Sequence, residues 1–267
     1  MPLVPGKTLR PSIHITRWGD SGPRVVLVHG GTQGTAVAGE ANFANQRVLA
    51  ERGWQLIVPD RPGHGKSLDP GRPDDADADG MWVADLLGDG AHLLGHSFGG
   101  CVALSAAAKR PEAVKSLTLI EPAMFQFAAG NPAVRRQLFA MMWAMTFSFS
   151  DAALARRMLK LLGIPSEVRG TSDKAQLARL GRSLRRVRVP NKEVLIRELD
   201  VIRKAGIPLL VITGGWNPAF EASSDAVATA AGGRRAVIQA GHHFPQIVSD
   251  ELNQVFAAFM QEREAAR

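Results

Sequence analysis

Ala91–Arg110 reads AHLLGHSFGGCVALSAAAKR, and this stretch decides the fold. A short apolar run suited to a strand, AHLL, leads into Gly95-His96-Ser97-Phe98-Gly99-Gly100, and a helix-like run, CVALSAAAKR, follows at once. Small residues on both sides of Ser97 permit a sharp strand-to-helix turn. In that context a G-x-S-x-G sequence lifts the serine hydroxyl out of the sheet edge, where it can act as a nucleophile.

Outward from this turn, β-type runs recur at Arg24 to Val28, Gln55 to Val58, His92 to Leu94, Ser116 to Ile120, Pro208 to Thr213 and Arg235 to Ile238. They are continuous in Val, Ile and Leu rather than alternating, as in a mostly parallel sheet covered on both faces. Helices are readable around Gly39 to Glu51, Phe98 to Lys109, Glu221 to Ala231 and Asp250 to Glu264. The fold class expected is α/β, with helices on both faces of a mostly parallel central sheet.

The strand rhythm fails between Glu121 and Ile207. Leu177, Leu180, Leu184 and Val187 there make one apolar stripe, with Arg179, Arg182 and Arg186 on another face. The expectation is a helical cap over residues 123–206, inserted into a core of residues 1–122 and 207–267. The basicity of the chain, net +7, is concentrated in that insertion, where 16 Lys and Arg stand against 6 Asp and Glu. A solvated basic face accounts for such a segment, and no nucleic-acid partner is expected.

The 267 residues, 45% hydrophobic and 21% charged, exclude disorder as the main state. The single Cys101 excludes an intramolecular disulfide or a cysteine zinc cluster, and it fits a reducing, cytoplasmic setting. The N-terminal residues show no apolar core of a secretory signal, and the uncharged run Gln137–Ser150 is too short to span a bilayer. No carboxylate pairs with a histidine at metal-ligand spacing, so neither metal nor cofactor is expected.

The chain resembles the α/β-hydrolase superfamily over nearly its whole length. Four motifs stand in the family's order: Val26-Leu27-Val28-His29-Gly30-Gly31, Pro59-Asp60-Arg61-Pro62-Gly63-His64-Gly65-Lys66-Ser67, the turn around Ser97, and Gly241-His242-His243-Phe244-Pro245. The resemblance implies an oxyanion hole from the backbone N–H groups of Phe98 and Gly31, with Thr32 as the neighbouring alternative to Gly31. It implies His243 as the base, because His243-Phe244-Pro245 has the family's spacing and His242 does not. His14, His29, His64, His92 and His96 read as structural.

The acid departs from the commonest pattern. Where the family usually ends a turn in Asp before Pro, Gly214-Gly215-Trp216-Asn217-Pro218 offers an amide, which cannot balance an imidazolium. Glu121, ending the apolar strand Leu117–Ile120, stands where haloalkane dehalogenase-like and certain lactone-hydrolysing members carry the acid. A charge buried there needs a partner, and an imidazolium serves. Glu221 and Asp225 read as ordinary exposed helix residues.

Substrate contacts are expected from Phe125, Met142, Trp143, Trp216 and Asn217, since aromatic and methionine residues crowd the cap just past Glu121. The resemblance implies a serine hydrolase acting through an acyl-enzyme on an apolar ester or lactone. A carbon-carbon bond hydrolase of the meta-cleavage type and a slow-turnover ligand receptor are the alternatives. The sequence leaves the oligomeric state open, and a homodimer is compatible with it.

Overall fold

A computed structural model describes residues 12–33, 38–165, 173–248 and 250–266. Its core is a seven-stranded sheet in the order β1-β3-β2-β4-β5-β6-β7. The strands are β1 (Ile15–Trp18), β2 (Arg24–Val28), β3 (Gln55–Pro59), β4 (Ala91–His96), β5 (Val114–Ile120), β6 (Leu209–Thr213) and β7 (Arg234–Val237). All neighbouring pairs run parallel except β1 with β3. The sequence expectations fall on β2 to β7. They miss β1, a four-residue edge strand without a continuous apolar run.

The longer helices are α1 (Ala76–Leu86), α2 (Phe98–Lys109), α3 (Pro132–Phe147), α4 (Asp151–Leu161), α5 (Lys174–Leu184), α6 (Lys192–Lys204), α7 (Pro218–Ala231) and α8 (Asp250–Ala265). The helix expected over Gly39 to Glu51 is broken into Gly39–Asn42, a 3-10 turn at Ala44–Arg47, and Val48–Glu51. Helix α1 escapes a sequence reading because its start, DDADADG, looks like a loop. Asp75 nevertheless caps it, accepting from the N–H groups of Asp77 and Ala78.

Two apolar layers sandwich the sheet. One face packs Val26, Leu93, Leu117 and Val211 against α1, α2 and α6, and the other packs Leu27, Leu94, Ile120 and Ile212 against α8. Alternation along each buried strand feeds both layers, which is why the strands read as unbroken apolar runs. Helix α6 belongs to this body, since its Leu195, Leu199 and Ile202 lie in the same cluster as α2. Helices α3, α4 and α5 pack in smaller clusters, α3 against Ala219 and Phe220 of α7 and α4 against α5, with Leu177 and Leu180 buried on α5 as the stripe requires. No helix among the described residues is long and apolar enough to cross a membrane.

The chain leaves β2 toward β3 on one side and returns through β4 on the other. The carboxyl ends of β2 and β4 are therefore adjacent, with Val28 in register with Gly95, at the switch point where open α/β sheets commonly bind ligands. β5 brings Ile120 beside His96.

Candidate active site

From Ala91 to Ala107 every residue is buried except Ser97. Ser97 sits between β4 and α2 at φ 55° and ψ −122°, a region that costs a side chain of order 1–3 kcal/mol. Its neighbours show why small residues surround it. A Cβ at Gly95 would lie 2.3 Å from Gly99 O, one at Gly99 would lie 2.4 Å from His29 O, and one at Gly30 would lie 2.6 Å from Ser97 Cβ. The turn is tied to the next strand, because Ser97 N–H donates to Ile120 O at 2.9 Å and Ala123 N–H donates to Ser97 O at 3.1 Å.

Among the described residues, only Ser97 and Glu121 are non-glycine residues at positive φ. Glu121, at φ 41° and wholly buried, follows β5 and turns its carboxylate toward β6. Oε1 accepts from Gly214 N–H at 2.6 Å, and Trp216 Nε1–H lies 2.9 Å from Oε2 and 3.0 Å from Oε1. His243 Nδ1 completes the set at 2.6 Å from Oε2. A carboxylate buried without donors would be prohibitively costly, and here three donors meet it. The bond to Glu121 puts the proton on Nδ1 and leaves Nε2 of His243 as the basic nitrogen.

His243 is held on every side. Its carbonyl accepts from His96 Nε2–H at 2.9 Å, its N–H donates to Gly163 O at 3.2 Å, and the Phe220 ring packs 4.7 Å from its own. His96 is buried and its pKa is pushed well below the ordinary value, first by burial and then by His243. His242 is half-exposed, and its Nδ1 accepts from Phe244 N–H at 3.0 Å.

On the other side of Ser97, the loop after β2 is fixed peptide by peptide. His29 Nδ1–H donates to Gly30 O at 2.8 Å, while Arg61 donates to His29 O from Nε at 3.1 Å and to Gly31 O from Nη2 at 2.7 Å. In a trans peptide the N–H points opposite the carbonyl, so anchoring Gly30 O aims the N–H of Gly31, and anchoring Gly31 O aims that of Thr32. Arg61 is fully buried and uses all five of its donors. Nη1 reaches Asp74 at 2.7 Å and Asp79 at 2.9 Å, and the remaining Nη2–H reaches His64 Nε2 at 3.2 Å. Asp74 also accepts from Gln33 N–H at 2.8 Å, tying the loop to the same cluster. Burial is the main cause that keeps His29 and His64 well below the usual imidazole range, hence neutral acceptors for this network.

A family model for the α/β-hydrolase fold matches residues 23–161, just over half of the chain. The chain belongs to the α/β-hydrolase fold family. It is 40% identical over 121 residues to a 2-hydroxy-6-oxononadienedioate/2-hydroxy-6-oxononatrienedioate hydrolase of Klebsiella pneumoniae, covering 43% of this chain and 41% of that one. It is also 40% identical over 118 residues to lipase LipV of Mycobacterium tuberculosis, covering 42% of each. The matches thus span about two fifths of these relatives' length. Among solved structures, a meta-cleavage product hydrolase (CumD) A129V mutant superposes with a TM-score of 0.67 at 21% identity, covering 96% of this chain and 98% of the other.

Within this α/β-hydrolase fold, the remaining expected site residues lie in different places. Asn217 caps α7, its side chain accepting from Ala219 N–H, and its amide reaches Gln137 Oε1 of α3 at 3.5 Å. Trp216 stands on the Glu121 carboxylate. Phe125 is buried 4.8 Å behind Phe220, in the packing beneath α3. Met142 and Trp143 face outward, 58% and 53% exposed. Glu221 differs from the expected exposed helix residue: it accepts from Thr213 Oγ1 and Gly215 N–H and pairs with Arg235 at 2.8 Å, bracing the turn that carries Gly214 and Trp216. Sequence reasoning missed Arg61, Asp74, Asp79 and Gly163. Arg61 lies inside the motif Pro59–Ser67, but its acidic partners are hidden in a run that looks like a solvated loop.

Two features look chemical and are not. Cys101, one turn past Ser97, is buried, and burial pushes its thiol up to about 12. A second serine–histidine–carboxylate chain runs from Ser116 Oγ to His92 Nδ1 at 2.7 Å and from His92 Nε2 to Glu264 Oε1 at 3.1 Å. Ser116 and His92 are wholly buried toward the amino-terminal ends of the central strands β5 and β4, so this chain braces α8 against the sheet.

Proposed function

We propose that the chain is a serine hydrolase that cleaves a carboxylic ester or lactone of an apolar small molecule through an acyl-enzyme. The observation that carries this reading is the buried 2.6 Å pair of His243 Nδ1 and Glu121, set at the same sheet edge as Ser97. Ser97 Oγ attacks the carbonyl while its proton passes to His243 Nε2, and Glu121 offsets the positive charge that appears on the ring. The N–H groups of Phe98 and Gly31 receive the oxyanion. His243 then protonates the leaving alkoxide, and a water deprotonated by His243 releases the acid.

Phe98 is the first residue of α2, so its N–H has no partner within the helix and is suited to this task. The Gly31 N–H is suited by the anchored Gly30 carbonyl behind it. The helices between Asn131 and Leu184 are proposed as the cap, which sets specificity over this machinery.

Carbon-carbon bond hydrolysis is the second reading, favoured by the 40% identity to the Klebsiella hydrolase. One experiment separates the readings. The purified chain is labelled with a fluorophosphonate and assayed side by side on p-nitrophenyl esters, lactones and ring-fission dienones. Repeated turnover of esters or lactones, with labelling lost in Ser97→Ala, is the expected result. Turnover of dienones alone would replace it with the second reading, and a single slow burst on every substrate would mark a ligand receptor.

A further inference from the structure

Helix α3 is apolar on both sides, whereas a surface helix ordinarily has one polar face. Its inner side buries Val134 and Ala144 and packs Leu138 and Met141 toward Trp216 and Phe220. Its outer side exposes Phe139 (57%), Met142, Trp143 and Phe147, and just beyond its end Phe149 is fully exposed. The outer rings form a ladder one helical turn apart, with Trp143 centred 6.1 Å from Phe139 and 4.1 Å from Phe147.

The surroundings of this ladder say what it fits. Arg135 and Arg136, exposed on the first turn and a half of α3, line one depression with Phe139 and Met142. At the other end, Arg157 donates to Phe147 O at 2.8 Å and Arg185 to Met145 O at 2.9 Å, so both arginines flank the last turn. Asp151 stands nearby and is shared between Arg185 at 3.1 Å and Arg182 at 3.9 Å. The stripe is thus apolar along its length and positive at both ends.

A second copy of the chain is a poor match for this face. A two-fold contact pairs the same patch with itself, and in either orientation of the helices it would set arginines against arginines. A surface with anionic groups above an apolar layer satisfies both parts at once. We propose that the outer face of α3 docks the protein on an anionic lipid–water interface, with Phe139, Trp143, Phe147 and Phe149 entering the acyl boundary and Arg135, Arg136, Arg157 and Arg185 meeting the headgroups. This goes beyond the proposed chemistry and does not depend on it.

The test is sedimentation of the full chain with vesicles of phosphatidylcholine alone or with about 30% phosphatidylglycerol, at physiological salt. The expected result is partitioning about tenfold or more stronger onto the anionic vesicles. Phe139→Ser with Phe147→Ser should lower it about tenfold or more, and Arg135→Gln with Arg136→Gln should abolish most of the preference for phosphatidylglycerol. Circular dichroism melting checks that the variants fold. If the double phenylalanine variant does not, Phe149→Ser, whose side chain is fully exposed, takes its place with a smaller expected loss. Absence of binding to anionic vesicles, or binding that neither set of variants alters, would overturn the proposal. So would light scattering that shows a dimer dissociated by the phenylalanine changes, which would make the stripe a contact between copies.

Discussion

Two buried charge assemblies flank Ser97, and they are built for opposite purposes. On one side Glu121 holds His243, whose charge comes and goes if the proposed chemistry runs. On the other Arg61 is permanently charged, clasped by Asp74 and Asp79, and its remaining donors hold the carbonyls of His29 and Gly31 and the ring of His64. The first assembly keeps one nitrogen, His243 Nε2, uncommitted to its carboxylate. The second commits every donor. A buried charge with all partners in place serves as fixed architecture, and one facing a ring nitrogen left free of it can serve chemistry.

The comparison breaks most visibly at Glu121. Glu121→Gln keeps the shape and removes the charge, and by analogy with the Asp-to-Asn change in serine proteases kcat should fall by up to roughly 10⁴ with the fold retained. Fluorophosphonate labelling and thermal melting measured together check this. A melting temperature that falls as far as the activity would return Glu121 to a structural role. Asn217→Asp in that background should recover little, because the side chain at 217 is turned to its own helix.

Arg61→Met should show the reverse balance. Leaving Asp74 buried without its guanidinium, and Asp79 with Arg72 alone at 2.5 Å, should cost about 3–5 kcal/mol in urea unfolding. Turnover by the remaining folded protein should fall less than in Glu121→Gln, and chiefly in kcat. An Arg61→Met protein of native stability would show that the cluster does not hold the loop.

A further carboxylate sharpens the contrast, because it is compensated only in part: Ser105, Lys109 and Arg197 favour its charged form, and burial outweighs them. Glu198 on α6 keeps Oε2 buried with no hydrogen-bond partner, and burial is the main cause that raises its pKa from 4.5 to about 7. The folded chain therefore retains a proton that the unfolded chain releases. This contribution to stability is complete below about 4.5 and is lost as pH rises through about 7. Glu198→Gln should melt higher than the parent at pH 8 and nearly equally at pH 4.5. A difference that does not change with pH would discard the explanation.

The smallest effects belong outside these assemblies. Asn217→Ala removes a helix cap and should cost about 1 kcal/mol of stability with little change in kcat. Arg182→Gln with Arg186→Gln should leave turnover of neutral esters almost unchanged. A rise in KM confined to anionic substrates would give that face a part in recognition.

How much of this was legible in the sequence follows from how local each signal is. The turn at Ser97 was readable because strand, glycines and helix are contiguous. The 2.6 Å pairing of Glu121 with His243 spans 122 residues, and it was reachable because the family resemblance marks both positions and an isolated carboxylate ending an apolar strand demands a partner. Nothing comparable marks Asp74 and Asp79 as buried, for acidic residues at a helix start are ordinarily solvated and favourable to the dipole. The outward Met142 and Trp143 show the limit of composition. Helical spacing places residues on one face without saying whether that face meets a cleft or the exterior.

Gly163 bears on how such a fold can exchange parts. The carbonyl that receives the His243 N–H comes from outside the sheet, just after α4, and a Cβ at Gly163 would sit 2.4 Å from the Trp216 ring. The scaffold that holds the histidine is therefore not self-sufficient. A replacement for the helices proposed as the cap would have to bring a carbonyl and a bare Cα to that same point, or the graft would arrive with its histidine unmoored. Modularity in this chain stops one hydrogen bond short of complete.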